Sequence, residues 1–290
     1  MWPFNRKKTI AESGLLKGCT DFHSHILPGV DDGVDSMEEA LRILQSYEAA
    51  GVKRLWLTPH IMEDIPNTPE NLHTRFAELQ AHYNGSIELH LAAEYMIDNN
   101  LRKLLNKHRH SYEGRWHEQS EVTEGSKTTN SSPSSIGTSN AECIAERVEE
   151  RELQQCEEPT LLPIGTAGKH ILVETSYFNP PIKLHETLKQ IKSLGYHPLL
   201  AHPERYMYMD KEEYSELHEE GIKFQLNLPS ICGAYGNTVR KRALWLLKEG
   251  FYNVIGSDTH CEEGLEFMMG RKLEKESIAA LYRAQEQSIL

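Results

Sequence analysis

Cysteine is scarce and unpatterned in this 290-residue chain. Five residues, Cys19, Cys143, Cys156, Cys232 and Cys261, are odd in number and form no CxxC pair. That excludes a disulfide framework and a thiolate zinc module, and it points to a reducing cytoplasm. A thiol nucleophile in a phosphate-cradling loop needs an arginine close behind it. Six positions after the five cysteines stand His25, Glu149, Leu162, Thr238 and Phe267, so cysteine-based phosphate chemistry is not expected. No apolar run approaches the length needed to span a bilayer, and no transmembrane segment is expected. The start, Met1-Trp2-Pro3-Phe4-Asn5-Arg6-Lys7-Lys8, is basic but lacks the apolar stretch of a signal peptide. Positive charge is also in deficit: 31 Lys and Arg against 43 Asp and Glu give a formal net charge of -12. A generic surface for nucleic acid or anionic lipid is thereby excluded, although bound metal ions can still dominate the local charge for a phosphorylated substrate. Finally, no glycine-rich dinucleotide or phosphate loop follows the first expected strand.

What is present is a repeating rhythm of strand and helix. Ser36 and Glu39 have the spacing of a capping box, Met37, Ala40, Leu41, Leu44 and Tyr47 keep helical spacing, and Gly51 closes the helix. Strands are expected at Arg54–Thr58, Ile87–Ala93, His170–Val173, Leu199–Ala201, Ile222–Asn227 and Tyr252–Ser257, after a short first strand at Cys19–Phe22. Helices are expected at Pro69–Tyr83, Asp98–Lys107, around Leu184–Leu194, around Tyr214–Leu217, at Leu244–Leu247, and over most of Leu265–Ser288. About seven strand–helix units imply parallel strands with right-handed crossovers, and a TIM-like barrel with fewer than eight units. Residues 1–17 read as a flexible N-terminal segment, and 18–290 as a single domain. From about 108 to 159 the chain is polar, serine-rich and poor in apolar residues, so it reads as a disordered loop insertion. Its histidines, His108, His110 and His117, are expected in solvent.

The metal-capable residues recur at strand ends. His23 and His25 follow the first strand, His60 the second and Glu94 the third. His202 ends a later strand, and Asp258 with His260 follows the last. Side chains at i and i+2 of an extended segment share a face, so His23 with His25, and Asp258 with His260, can each converge. In a parallel barrel all these ends lie on one face, where barrel active sites are built. A donor set of imidazole and carboxylate without thiolate suits Mn, Fe or Zn in a multinuclear hydrolytic site. The turn through Gly29 and Gly33 attracts aspartates on conformational grounds as well, so Asp31 and Asp32 both remain candidates. Asp21 is expected to fix backbone, and Glu174 either supports a ligand or forms a structural ion pair.

The motifs DFHSHILPGVDDG (21–33), TPH (58–60), AAEY (92–95), AHPERY (201–206) and SDTH (257–260) resemble the polymerase and histidinol phosphatase (PHP) superfamily. More narrowly they are similar to bacterial metal-dependent protein-tyrosine phosphatases that act with capsule and exopolysaccharide kinases. The resemblance runs from about Thr20 to His260, interrupted by the insertion. It implies an α/β fold, a distorted seven-stranded barrel, and up to three divalent metals, expected to be manganese, with iron or zinc as alternatives. It implies His23, His25, Asp32, His60, Glu94, His202, Asp258 and His260 as ligands, Glu94 as the bridging carboxylate, and Arg205 as the phosphate-binding cation. His60, Glu94 and Arg205 then form the catalytic group. The implied activity is hydrolysis of phosphotyrosine by metal-activated hydroxide, on a polysaccharide-assembly tyrosine kinase or a related protein. Two alternatives stay open: a small-molecule phosphatase of the histidinol-phosphate or sugar-phosphate type, and a catalytically weak metal-binding interaction protein. One departure stands out. Leu265 occupies the position of a second family arginine, and Arg271 is the nearest candidate to replace it.

Overall fold

The structure is a computed structural model that describes residues 7–109, 161–288 and 290. The chain divides into two compact units, Met1–Arg102 with Leu161–Leu290, and Lys103–Thr160. Of the second unit only residues 103–109 are described, and they are helical. The insertion expected at 108–159 otherwise lies outside the described residues.

In the first unit the elements run β1 (Lys8–Thr9), α1 (Ile10–Ser13), β2 (Thr20–Asp21), α2 (Met37–Ala50), β3 (Arg54–Leu57), β4 (His60–Ile61), α3 (Pro69–His82), β5 (Glu88–Leu91) and β6 (Glu94–Met96). Residues 99–102, the last of this part of the first unit, are helical and are labelled α4. After it come β7 (His170–Glu174), α5 (Leu184–Ser193), β8 (His197–Ala201), a short 3-10 turn at Pro203–Arg205, α6 (Lys211–Glu219) and β9 (Lys223–Asn227). The chain ends with α7 (Leu228–Cys232), α8 (Gly236–Glu249), β10 (Tyr252–Gly256), α9 (Glu262–Gly270), β11 (Lys272–Leu273) and α10 (Lys275–Glu286).

Among the described residues the strands form a parallel six-stranded sheet, in the order β10-β9-β8-β7-β6-β4, and a parallel three-stranded sheet, β2-β3-β5. The expected α/β class with parallel strands is observed, but no closed ring of seven strands is found among the described residues. The reason is local. The expected second and third strands are each interrupted before their ligand-bearing ends, β3 from β4 at Thr58-Pro59 and β5 from β6 at Ala92-Ala93. Pro59 has no N–H to give to a ladder. Hydrogen bonds from Ala92 N–H to Leu57 (2.9 Å) and from Glu94 N–H to Pro59 (3.1 Å) carry the pairing across the breaks.

The residues expected as a flexible N-terminal segment include β1, which pairs antiparallel with β11, and α1, whose Ile10 is fully buried. Ser36 caps α2 as expected by accepting from the Glu39 N–H, and Gly51 ends the helix at φ 89°. The return half of the capping box is replaced, because the Glu39 carboxylate accepts from Glu262 N–H instead (3.4 Å). The central strands β7 and β8 are buried along nearly their whole length, as strands covered on both faces must be. Phe22, Trp56, Leu172, Leu199 and Val254 pack together between the strands.

Candidate metal centre

Seven of the eight expected ligands sit at or shortly after a strand terminus, His60 and Glu94 at the first residues of β4 and β6, while Asp32 lies in the turn that follows His25; the parallel strand order brings them together. His23 and His25 follow β2; both are fully buried. Asp21 fixes the backbone there, accepting from His23 N–H (3.2 Å) and Ser257 N–H (2.9 Å). Backbone bonds from Asp258 N–H to His23 (2.8 Å) and from His25 N–H to Thr259 (2.9 Å) lash the first expected pair to the last.

The side chains converge in turn. His23 Nε2 lies 2.9 Å from His25 Nε2, and the two lie 3.1 and 3.2 Å from Glu94 Oε2. Asp258 Oδ1 stands 3.4 Å from His23 Nε2 and 3.5 Å from His25 Nε2. His202 Nε2 meets the other Glu94 oxygen at 3.1 Å. His60 Nδ1 is 3.3 Å from Glu94 Oε2, and its Nε2 is 3.5 Å from Asp32 Oδ1, which also lies 3.6 Å from His260 Nε2. Three overlapping groups have their ligand atoms within 4.8 Å of one another: His25, Asp32, His60 and His260; His23, His25 and Glu94; and His60, Glu94 and Glu174. All eight residues expected as ligands therefore meet in one place, with Glu94 at the centre.

A second layer sets the imidazoles. Gln225 Oε1 accepts from His23 Nδ1, Asp31 Oδ2 from His25 Nδ1 (2.8 Å), and the Asp258 carbonyl from His260 Nδ1 (2.9 Å). Each bond leaves the Nε2 lone pair facing the cluster, which is how metal-binding histidines are usually oriented. The open choice between the two aspartates divides accordingly: Asp31 braces His25 and the His60 N–H, while Asp32 faces the cluster. His202 and Asp258 hold positive φ, 33° and 53°, in a region that non-glycine residues rarely occupy.

These donors suit a cation. His60 Nδ1 and His202 Nδ1 are buried without a hydrogen bond, although the former lies 3.2 Å from Glu174 Oε1. Burial and the nearby His25 bring His60 down to about 4, and burial with Arg205 does the same to His202, so both rings are neutral at physiological pH. Glu174 is pushed well above its usual range by burial and by the carboxylates of Glu94 and Asp258. Two positive metal charges or more would relieve that crowding.

The cluster floors a cleft of about 740 Å³. Arg205 reaches into it; its Nη1 donates to Asp258 Oδ2 (2.7 Å), and its guanidinium lies between the rings of Tyr177 (4.3 Å) and Tyr235 (4.2 Å). Asn227 Nδ2 donates to the same Asp258 oxygen (2.8 Å). Arg271 does not join them: its Nε donates to the Cys232 carbonyl (3.1 Å), and Leu265 is buried in the core. Burial pushes the thiols of Cys19 and Cys232 up to about 12, consistent with their exclusion as nucleophiles.

Sequence reasoning left Glu174 unassigned and missed Gln225, Asn227, Tyr177 and Tyr235. Gln225 and Asn227 carried a signal, as two amides at i and i+2 in an otherwise apolar strand end. Tyr177 and Tyr235 carried none, because their partner Arg205 is distant in sequence from both.

Known proteins are similar to this chain in sequence and in fold. The family described as "Capsular polysaccharide synthesis, CpsB/CapC" matches residues 19–115 and 144–275. A putative tyrosine-protein phosphatase CapC of Staphylococcus aureus is 25% identical over 267 residues, 90% of this chain and 85% of that protein. The tyrosine-protein phosphatase CpsB of Streptococcus pneumoniae is 26% identical over 247 residues, 83% of this chain and 82% of that protein. Among solved structures, one described as YwqE from Bacillus subtilis and CpsB from Streptococcus pneumoniae, "unique metal-dependent tyrosine phosphatases", superposes with a TM-score of 0.60 at 18% identity. It covers 93% of this chain and 88% of that one, a likeness of fold. Because the family match spans most of its length, the chain belongs to the CpsB/CapC capsular polysaccharide synthesis family.

Proposed function

We propose that this protein is a metal-dependent phosphatase that hydrolyses phosphotyrosine in protein substrates. The observation that carries the reading is the convergence of eight imidazole and carboxylate donors on Glu94, with the Arg205 guanidinium beside them in one cleft. His23, His25, Asp32, His60, Glu94, His202, Asp258 and His260 would hold up to three divalent ions, with Glu94 shared between them and Glu174 as an added donor. Manganese is our choice for an oxygen- and nitrogen-rich set without thiolate. Bound divalent metal supplies Lewis-acid charge and makes hydroxide available near neutral pH. Arg205 would bind and orient the phosphoryl oxygens with its planar fork, and Tyr177 and Tyr235 keep that plane fixed.

Phosphotyrosine is favoured because the relatives of similar length are named tyrosine-protein phosphatases. The capsular polysaccharide description supports a tyrosine kinase of polysaccharide assembly as the substrate protein, and hence a cytoplasmic site of action. No helix among the described residues is long and apolar enough to cross a membrane. We further read the two parallel sheets as parts of a distorted seven-stranded barrel of the PHP type, in one domain interrupted by the insertion. The backbone bond from Phe22 N–H to Ile255 (3.2 Å), which joins the β2 segment to β10, supports that reading.

The test is hydrolysis of a phosphotyrosine peptide with manganese, with chelator, and in His60→Ala and Arg205→Ala variants. Activity should vanish with chelator and fall by at least about 100-fold in each variant, comparable to losing one transition-state donor. Full activity in chelator would exclude the reading. A small-molecule phosphatase is the second reading, favoured by Leu265 and by the turning away of Arg271, which leaves Arg205 as the one cation lining the cleft among the described residues. Rates on sugar phosphates beside the peptide decide between them.

A further inference from the structure

Of the large hydrophobic side chains exposed among the described residues, half line the one cleft that holds the metal-capable cluster: Phe178 (75% exposed), Tyr235 (39%) and Phe267 (41%). Exposed apolar surface gathered beside a polar cavity marks a place where something apolar binds. Tyr235 already carries the Arg205 guanidinium on its ring. Phe178 and Phe267 remain. They come from different segments, the loop after β7 and helix α9. Phe267 stands two residues beyond Leu265, and the Arg271 guanidinium lies 4.9 Å from its ring centroid. Arg271 thus lies against a ring of the cleft and is not among its lining residues.

We propose that Phe178 and Phe267 form an aryl subsite, which selects phosphate esters of aromatic alcohols by stacking on the ring that carries the phosphate. The proposal rests on the reading of this cleft as a phosphatase site. With the charged phosphate drawn to the floor by Arg205 and the cluster, the group attached to it lies among the remaining lining residues, of which Phe178 and Phe267 are the exposed aromatic ones not already stacked on Arg205. Among the described residues a single cation, Arg205, lines the cleft, so the aromatic contacts supply the discrimination that a second arginine gripping only phosphate would not.

The test uses the full chain loaded with manganese, as wild type, Phe178→Ala, Phe267→Ala and the double variant. Far-UV circular dichroism and elemental analysis check that fold and metal content are kept. The kcat/KM values for a phosphotyrosine peptide and for phenyl phosphate are measured beside those for a phosphoserine peptide and glycerol 2-phosphate. In parallel, calorimetry compares binding of phenylphosphonate and methylphosphonate. The aryl-over-alkyl ratio should fall about tenfold in the double variant, in both turnover and binding, as expected for two aromatic contacts. An unchanged ratio, or a loss seen only with the peptide and not with phenyl phosphate, overturns the subsite. If the wild type hydrolyses none of the four esters, the phosphatase reading falls by itself. The phosphonates then decide the subsite: preference for phenylphosphonate lost in the double variant upholds it, and equal binding of the two overturns it.

Discussion

Gly256 ends β10 directly against His23. A methyl group there would meet His23 Cβ at 2.4 Å and Gln225 Nε2 at 2.7 Å, and neither can retreat, because His23 is fully buried and Gln225 is held at both ends of its amide. Gly256→Ala should therefore cost about 1–3 kcal/mol by overpacking, and it should also tilt the His23 ring away from Glu94. Thermal denaturation in chelator reads the first effect, and metal content by elemental analysis reads the second. A variant that keeps its melting temperature and its full metal complement would show that the contact is relieved elsewhere. At this scale the spacing of His23 and His25 was readable in the chain, because period two on an extended segment is a local rule. The Gln225 brace on His23 was not, since the two lie 202 positions apart and nothing in their neighbourhoods links them.

Helix α2 does more than cover the strands. Its Tyr47 hydroxyl reaches Ser257 Oγ (2.6 Å) and Thr259 Oγ1 (2.7 Å), one residue to either side of Asp258, so the helix pins the segment that carries two expected ligands. Tyr47 is fully buried, and removal of its hydroxyl leaves two buried partners to satisfy each other. Tyr47→Phe should destabilise by about 0.5–1.5 kcal/mol and loosen metal retention, measured as an earlier denaturant midpoint and faster metal loss to a competing chelator. Unaltered metal loss would confine the role of Tyr47 to stability. The boundaries of α2 were legible in Ser36 and Gly51, which act through their own backbone. The use of Glu39 was not legible, because Glu262 offers its N–H only once α9 is folded beside α2. The breaks after β3 and β5 were missed for a related reason. The runs Arg54–Thr58 and Ile87–Ala93 read as continuous strands, while the ladder assignment depends on which neighbour each residue faces.

For the whole molecule, the cluster gathers carboxylates from distant parts of the chain, with Glu94 and Asp258 buried. Metal binding to the folded state alone stabilises it by about 2.7 kcal/mol at a free concentration 100 times Kd. For a chain of this size that corresponds to roughly 5–10 °C in melting temperature. Addition of manganese to chelator-treated protein should produce such a rise, read by calorimetry, and an Asp258→Asn, His60→Ala variant should lose most of it. No shift in the wild type would mean that the donors do not hold the ion. The sequence by itself determined the α/β class, the strand-end placement of seven of the eight expected ligands, and the family, because these follow from local periodicity and from motifs whose order the chain preserves. Only the tertiary structure decided which aspartate faces the cluster, that Glu174 joins it, that Arg271 turns to Phe267, and that two tyrosines hold Arg205. Those outcomes depend on contacts between segments far apart in the chain, where packing and shared hydrogen bonds select one partner among several of equal local propensity.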